Sequence, residues 1–260
     1  MAPPSNAILL DCASISAIGM RASNQDCIGL AGQDDLGCFV VADGAGGHEG
    51  GEIAARVVVD ALLAKFESES SFGARALLCY VEHASAQLAQ ARHGKPALAD
   101  MSTTVAALLV DELNARAVWA HLGDTRIYLF RGARLYAVTR DHSLAQQLID
   151  AGYVRADQLR THPQRNILVA AVGTEGETAA SVTPQPVDLA DGDAFLLCTD
   201  GLWEWVPEER MEQTLAATRD SQGWLGALCA VADAAARASG DTRDNYSAYA
   251  IRVRRQEPST

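Results

Sequence analysis

The sequence predicts an α+β protein, a four-layer α-β-β-α sandwich of two central, mostly antiparallel β-sheets flanked by helix pairs, with a flap-like segment. Three observations lead there. Short apolar runs of β type come in neighbouring groups instead of alternating singly with helices, which argues against a parallel βαβ sheet. Ala- and Leu-rich runs with apolar residues at helical spacing come in pairs. The chain of 260 residues, 48% hydrophobic and 21% charged, has the composition of a globular protein and enough length to bury a sizeable core.

The elements follow in order. "AILLDCASISAIG" (7–19) and "GCFVVAD" (37–43) read as strands, and 51–66 and 73–92 as two helices. A run of strands comes next: "STTVAALLVDE" (102–112), "ARAVWAHLG" (115–123), "TRIYLFR" (125–131) and "RLYAVT" (134–139), the last two joined by a hairpin turn at "RGAR". Residues 143–172 read as short helices and loop, with His162-Pro163 as a breaker. Strands near 180–189 and at "DAFLLCT" (193–199) precede helices at 207–217 and 221–238, and "YSAYAIRV" (246–253) closes the chain as a strand. No internal repeat or low-complexity linker interrupts it. One domain over 1–260 is therefore expected, with 143–180 as the flap-like segment.

A net charge of −12 disfavours nucleic acid and anionic membrane as partners, since both would be repelled. A phosphorylated substrate stays compatible if cations reverse the local charge. The six cysteines (Cys12, Cys27, Cys38, Cys79, Cys198, Cys229) form no CxxC pair and no zinc-like spacing, and read as buried free thiols of a reducing compartment. "MAPPSNAILLDCAS" has no positive n-region or long apolar h-region, and no run reaches membrane-spanning length; a cytoplasmic protein is expected.

Carboxylates close the apolar runs. Asp43 follows "FVVA", Asp124 follows "VWAHLG", Asp200 follows "FLLCT", and Asp244 precedes Asn245 and the last strand. If these strand ends share one rim, like charges gather there, and a divalent cation is the simplest compensation. Oxygen ligands suit Mg²⁺ or Mn²⁺ better than zinc. Turn chemistry alone also accounts for Asp beside Gly, so spacing leaves both explanations open.

Six segments in this order, "VADGAGGHEGGE" (41–52), "HLGDTRIYLFRGARL" (121–135), "TRDHSLAQQLIDAG" (139–152), "HPQRNILVAAVG" (162–173), "FLLCTDGLWEWVPEE" (195–209) and "DN" (244–245), resemble the bacterial branch of the metal-dependent type 2C protein phosphatases, the PPM family. "GMRASNQDC" (19–27) fits that family's opening segment, and the resemblance runs from about residue 12 to 253. It implies two Mn²⁺ or Mg²⁺ ions at one edge of the sandwich. Asp43 would bridge them, the Gly44 carbonyl would ligate one, Asp200 and Asp244 would complete the other, and Asp124 would help hold a third, weaker ion. Arg21 matches the phosphate-binding arginine, and Asp26 would hold metal-bound water from an outer position. "NQD" replaces the commoner "NED", so Gln25 is neutral where many members carry Glu. The resemblance implies hydrolysis of phosphoserine and phosphothreonine in proteins by a metal-bridging water. Ala45 stands where some members carry a histidine, which leaves metal-bound water as proton donor. Phosphoproteins, a cognate Ser/Thr kinase and its substrates are the implied partners of a monomeric enzyme.

Two other functions find less support in the sequence. A catalytically weak homologue serving as phospho-partner sensor or scaffold has only Gln25 in its favour. A nucleotide-binding loop lacks the lysine and hydroxyl of GxxxxGK[ST]. His48 and Glu52, His142 and His162 read as structural, Asp141 as a cap for the helix beginning near Ser143, and Trp203 and Trp205 as core residues.

Overall fold

In the computed structural model, which describes residues 7–45, 50–174 and 179–255, every strand pairing is antiparallel. The chain runs β1 (Ile8–Ala17), β2 (Asp26–Gln33), β3 (Leu36–Ala45), α1 (Gly50–Glu69), α2 (Ala74–Arg92), β4 (Ser102–Thr103), β5 (Val105–Asp111), β6 (Arg116–Leu122), β7 (Arg126–Arg131) and β8 (Arg134–Val138). It continues with α3 (Leu144–Asp150), β9 (Ser181–Val182), β10 (Val187–Asp188), β11 (Ala194–Cys198), α4 (Asp200–Trp203), α5 (Glu208–Ala217), α6 (Ser221–Ser239) and β12 (Tyr246–Arg255). One sheet has the order β1-β12-β11-β7-β8; the other is β10-β6-β5-β3-β2, with β4 beside β3 and β9 beside β6.

Alternation along the central strands explains the four layers. In β3, Cys38, Val40 and Ala42 pack against α1 and α2, while Phe39 and Val41 meet the opposite sheet. In β11, Ala194, Leu196 and Cys198 pack beneath the C-terminal helices, and Phe195 and Leu197 fill the space between the sheets. Successive side chains of a strand point to opposite faces, so a strand covered on both sides must be apolar throughout. Burying such a side chain contributes about 1.5–3 kcal/mol, which makes these strands the fixed frame of the molecule.

Local signals set several boundaries. The hairpin after β7 turns on Gly132 and Ala133, both at positive φ (56° and 57°), with Arg131 opposite Arg134. Asp220 caps α6 by accepting from the Gly223 N–H, and left-handed Gly240 ends it.

The structure corrects the predicted elements in three places. Strand β2 has no counterpart among the predicted strands. Gly29 is required there: a Cβ would lie 2.6 Å from both Leu63 and Val59 of α1, which rests directly on the strand. The strand expected near 180–189 is two two-residue strands, β9 and β10. Helix α4, a single turn, is too short to register as periodicity. Of the cysteines, Cys38 and Cys198 are buried, but Cys12 and Cys79 are exposed; all six are free thiols. Among the described residues no helix is long and apolar enough to cross a membrane.

Candidate active site

Antiparallel pairing brings the predicted carboxylates to one end of the sandwich. Asp26, the first residue of β2, sits directly opposite Asp43 near the end of β3. Cys198, the last residue of β11, pairs with both Arg126 at the start of β7 and Ala248 near the start of β12. Asp124, Asp200 and Asp244 therefore leave their strands at the same rim. A cleft of about 350 Å³ is lined by Arg21, Gln25, Asp43, Gly44, Asp244 and Asn245. A neighbouring cavity of about 630 Å³ includes Arg21, Asp200 and Asp244 and extends toward Arg160 and Arg165 of the flap-like segment.

Two glycines make this approach possible. A Cβ on Gly44 would stand 2.1 Å from the Gly51 carbonyl oxygen, and one on Gly201 would stand 1.9 Å from that of Asn245. No other residue lets the first turn of α1 close onto the end of β3, or α4 onto the start of β12.

Asp26, Asp43 and Asp124 are braced by groups that the sequence did not single out as supports. The Asp43 N–H donates to Thr104 Oγ1 (2.9 Å), and the Thr103 hydroxyl donates to the Asp43 carbonyl (2.8 Å). Thr104 shares a 2.6 Å hydroxyl contact with Thr125, beside Asp124. The Trp203 indole N–H donates to the Asp124 carbonyl (2.9 Å). Thr199 donates to Asp26 Oδ2 (3.0 Å). Asn245 fastens the β1–β2 loop that carries Arg21: its amide donates to the carbonyls of Ile18 and Ser23, and its Oδ1 accepts the Gln25 N–H. "TT", "DT" and "DN" were visible in the sequence, but their partners lie up to 227 residues away and only the fold reveals them.

The electrostatics call for a cation. Burial pushes the Asp43 carboxyl well above the usual carboxylate range, and the neighbouring Asp26, Asp200, Asp124 and Asp244 push it further. Asp200 is raised in the same way, first by burial and then by Asp124, Glu204, Asp244 and Asp26. Burial raises Asp26 and Asp124 to about 7 each. Among the described residues Asp26 Oδ1 is buried with no hydrogen-bond partner, a costly condition for a carboxylate oxygen. Such a set fits hard divalent cations: the described lining offers carboxylates and a backbone carbonyl, and no thiolate or imidazole. Among the described residues no group of three or more His, Cys, Asp or Glu side chains stands arranged to hold a metal ion by itself.

Other sequence expectations sort as follows. Arg21 reaches the cleft but donates to Asp244 Oδ2 at 2.5 Å, so its fork is engaged by a carboxylate. Gln25 lines the cleft. Asp141 does not cap α3. Ser143 does, accepting from the Gln146 N–H, while Asp141 forms a buried bidentate pair with Arg126 (2.7 Å on both arms). The Arg126 guanidinium lies 3.5 Å over the Trp203 ring, behind the Asp124 turn. Trp203 is buried as expected, but Trp205 is only half-buried and lines the larger cavity. Glu52 pairs with Arg56 on α1 (3.6 Å), and His162 Nδ1 accepts the Gln164 N–H at a turn. His48 lies outside the described residues.

Residues 16–237 match the family model described as protein phosphatase 2C. The chain belongs to that family. A serine/threonine phosphatase of Listeria welshimeri is 31% identical over 206 residues, covering 77% of this chain and 80% of that protein. The phosphatase PstP of Mycobacterium tuberculosis is 33% identical over 197 residues, covering 75% of this chain and 37% of the longer relative. Among solved structures, the PstP catalytic domain in complex with two manganese ions superposes with a TM-score of 0.79 at 27% identity, covering 95% of this chain and 99% of that one. Staphylococcus aureus Stp1 gives 0.83 at 26% identity, with 94% and 95% covered. The four-layer protein phosphatase 2C sandwich is thus the fold of this chain.

Proposed function

We propose that this protein phosphatase 2C member is a metal-dependent protein-serine/threonine phosphatase that removes phosphate from phosphoserine and phosphothreonine. The observation that carries the reading is the convergence of Asp26, Asp43, Asp124, Asp200 and Asp244 on one rim, where Asp43 and Asp244 line a cleft with Arg21, Asp200 lines the adjoining cavity, and Asp26 and Asp124 act on Asp43 from behind. The manganese-bound PstP domain and the serine/threonine phosphatase relatives support it.

In this reading Asp43 and the Gly44 carbonyl, with Asp200 and Asp244, would hold two Mn²⁺ or Mg²⁺ ions, and Asp124 would help hold a third. When bound, the ions would supply Lewis acidity and lower the pKa of water for attack on phosphorus. The chain does the rest by position. Strand ends fixed by Thr103, Thr104 and Trp203 hold the carboxylates in place before substrate arrives. Arg21 exchanges Asp244 for the phosphate, where its planar fork matches two oxygens. Asp26, braced by Thr199, keeps one free oxygen to orient water. The same reading makes the enzyme a cytoplasmic monomer, a single domain over 1–260, that opposes a Ser/Thr kinase.

Hydrolysis of a phosphothreonine peptide tests the reading. Turnover is expected with Mn²⁺ or Mg²⁺ and none in EDTA. Manganese binding without turnover on any phosphopeptide would instead mark a phospho-partner sensor.

A further inference from the structure

His142 lies outside the carboxylate rim, yet both polar edges of Gly123, the residue before Asp124, end on it. The Gly123 N–H donates to His142 Nδ1 (3.0 Å), and the His142 N–H donates to the Gly123 carbonyl (2.9 Å). Gly123 adopts a φ of +108°, and a Cβ there would meet Thr104 at 2.5 Å, so a residue with a side chain would be both strained and crowded at this position. His142 thus holds both polar groups of the residue that leads into Asp124.

The same residue is where the flap-like segment begins and returns. The His142 carbonyl accepts the Val169 N–H (2.9 Å), and the Leu144 N–H donates to Ile167 (2.8 Å), so the outgoing and incoming strands of the segment are clipped together at its foot. His142 Nε2 lies 3.0 Å from Ser181 Oγ on β9, and the ring stacks on His121 of β6 (centroids 4.7 Å apart, planes at 12°). With Nδ1 accepting a backbone N–H, the ring is the neutral Nε2–H tautomer and donates to Ser181. Burial and the neighbouring His121 lower its pKa to about 4, which keeps Nδ1 an acceptor at neutral pH.

We propose that His142 is a positioning residue that ties the Asp124 turn to the foot of the flap, so that cation affinity at Asp124 and seating of the flap rise and fall together. This rests on Asp124 contributing to a third cation site. Coupling of this kind is reciprocal: a cation at Asp124 protects the flap, and a loosened flap foot weakens the cation.

Two conservative variants separate the ring nitrogens. In H142N the amide oxygen can take the place of Nδ1 toward Gly123; in H142Q the longer amide reaches toward Ser181 and leaves Gly123 without its acceptor. The measurements are Mn²⁺ titration calorimetry and amide hydrogen exchange over 144–169, with and without Mn²⁺. H142Q is expected to weaken the weakest Mn²⁺ step by about tenfold, the low end for loss of a group that orients a metal ligand. It should also abolish Mn²⁺-dependent protection of the flap amides. H142N should keep both within about threefold of the parent, an allowance for an imperfect amide mimic. Two variants that both behave like the parent, or that are equally impaired, would overturn the inference. Asp124→Asn distinguishes the two levels: if it leaves the weak step in place, the third-site assignment fails and the inference fails with it.

Discussion

The carboxylate rim and the flap-like segment face the same cavity but are built by opposite means. The rim uses short side chains at the ends of buried strands, with Asp26, Asp43 and Asp124 braced by hydroxyls or an indole at 2.8–3.0 Å. The flap is held down by long ion pairs, Arg160 to Glu208 and Arg165 to Glu204, and carries exposed apolar side chains, with Tyr153 81% accessible and Ile167 48%. Short braced groups lose little entropy on use, whereas long ion pairs in water contribute about 0–1 kcal/mol and rearrange readily. The contrast assigns fixed chemistry to the rim and adaptable recognition to the flap.

Breaking the rim should have the largest effect. Asp43→Asn is expected to lower kcat by about a thousandfold or more, roughly 4 kcal/mol of barrier. The same variant should melt higher than the parent in EDTA, because it removes a buried carboxylate crowded by four others. A variant that retains turnover, or melts lower without metal, contradicts the assignment of Asp43. Next is the support behind the rim. Asp141→Asn takes the bidentate carboxylate from the buried Arg126 guanidinium and leaves Glu208 at 3.9 Å as its remaining anion, at a cost of about 3 kcal/mol by urea unfolding. A loss below about 1 kcal/mol would place Arg126 in water and outside the frame.

A pH series sharpens the comparison further. Without metal, Asp26 and Asp124 keep their protons up to about pH 7 in the folded protein, against an ordinary value of 3.8 in the unfolded chain. The folded state binds more protons in that window, so stability is full below it and is lost as pH rises through it. Melting temperature in EDTA should therefore fall from pH 5 to 8, and Mn²⁺ should suppress the decline. A flat EDTA profile would show that these carboxyls are hydrated and unperturbed. The smallest effect belongs to the flap. Arg165→Ala should cost less than about 1 kcal/mol of stability and change KM for a protein substrate more than kcat. A kcat loss approaching that of Asp43→Asn would mean that the flap takes part in the chemistry.

How legible each region was follows from the same contrast. Asp43, Asp124 and Asp200 stand out because each ends an apolar run, and Asp244 because it precedes one; a run buried on both faces is visible in one dimension. The layers are legible for the same reason. Their supports are not: Thr104, Asn245, Trp203 and Arg126 act through partners distant in sequence, and nothing local distinguishes them from ordinary polar or aromatic residues. Asp141 shows the difficulty plainly. Beside a helix start it reads as a cap, but the long-range attraction of a buried guanidinium takes precedence. The glycines acquire their roles only in the packed fold, where Gly29 makes room for α1 against β2, and Gly44 and Gly201 let helices close onto the rim.

The most direct test of the central claim, that this rim is a two-cation centre, is anomalous scattering from a crystal grown with Mn²⁺. The account predicts two strong peaks that share Asp43, one completed by Asp200 and Asp244, with Arg21 released from Asp244. A map with no peak at Asp43, or with manganese bound only elsewhere on the molecule, would contradict it.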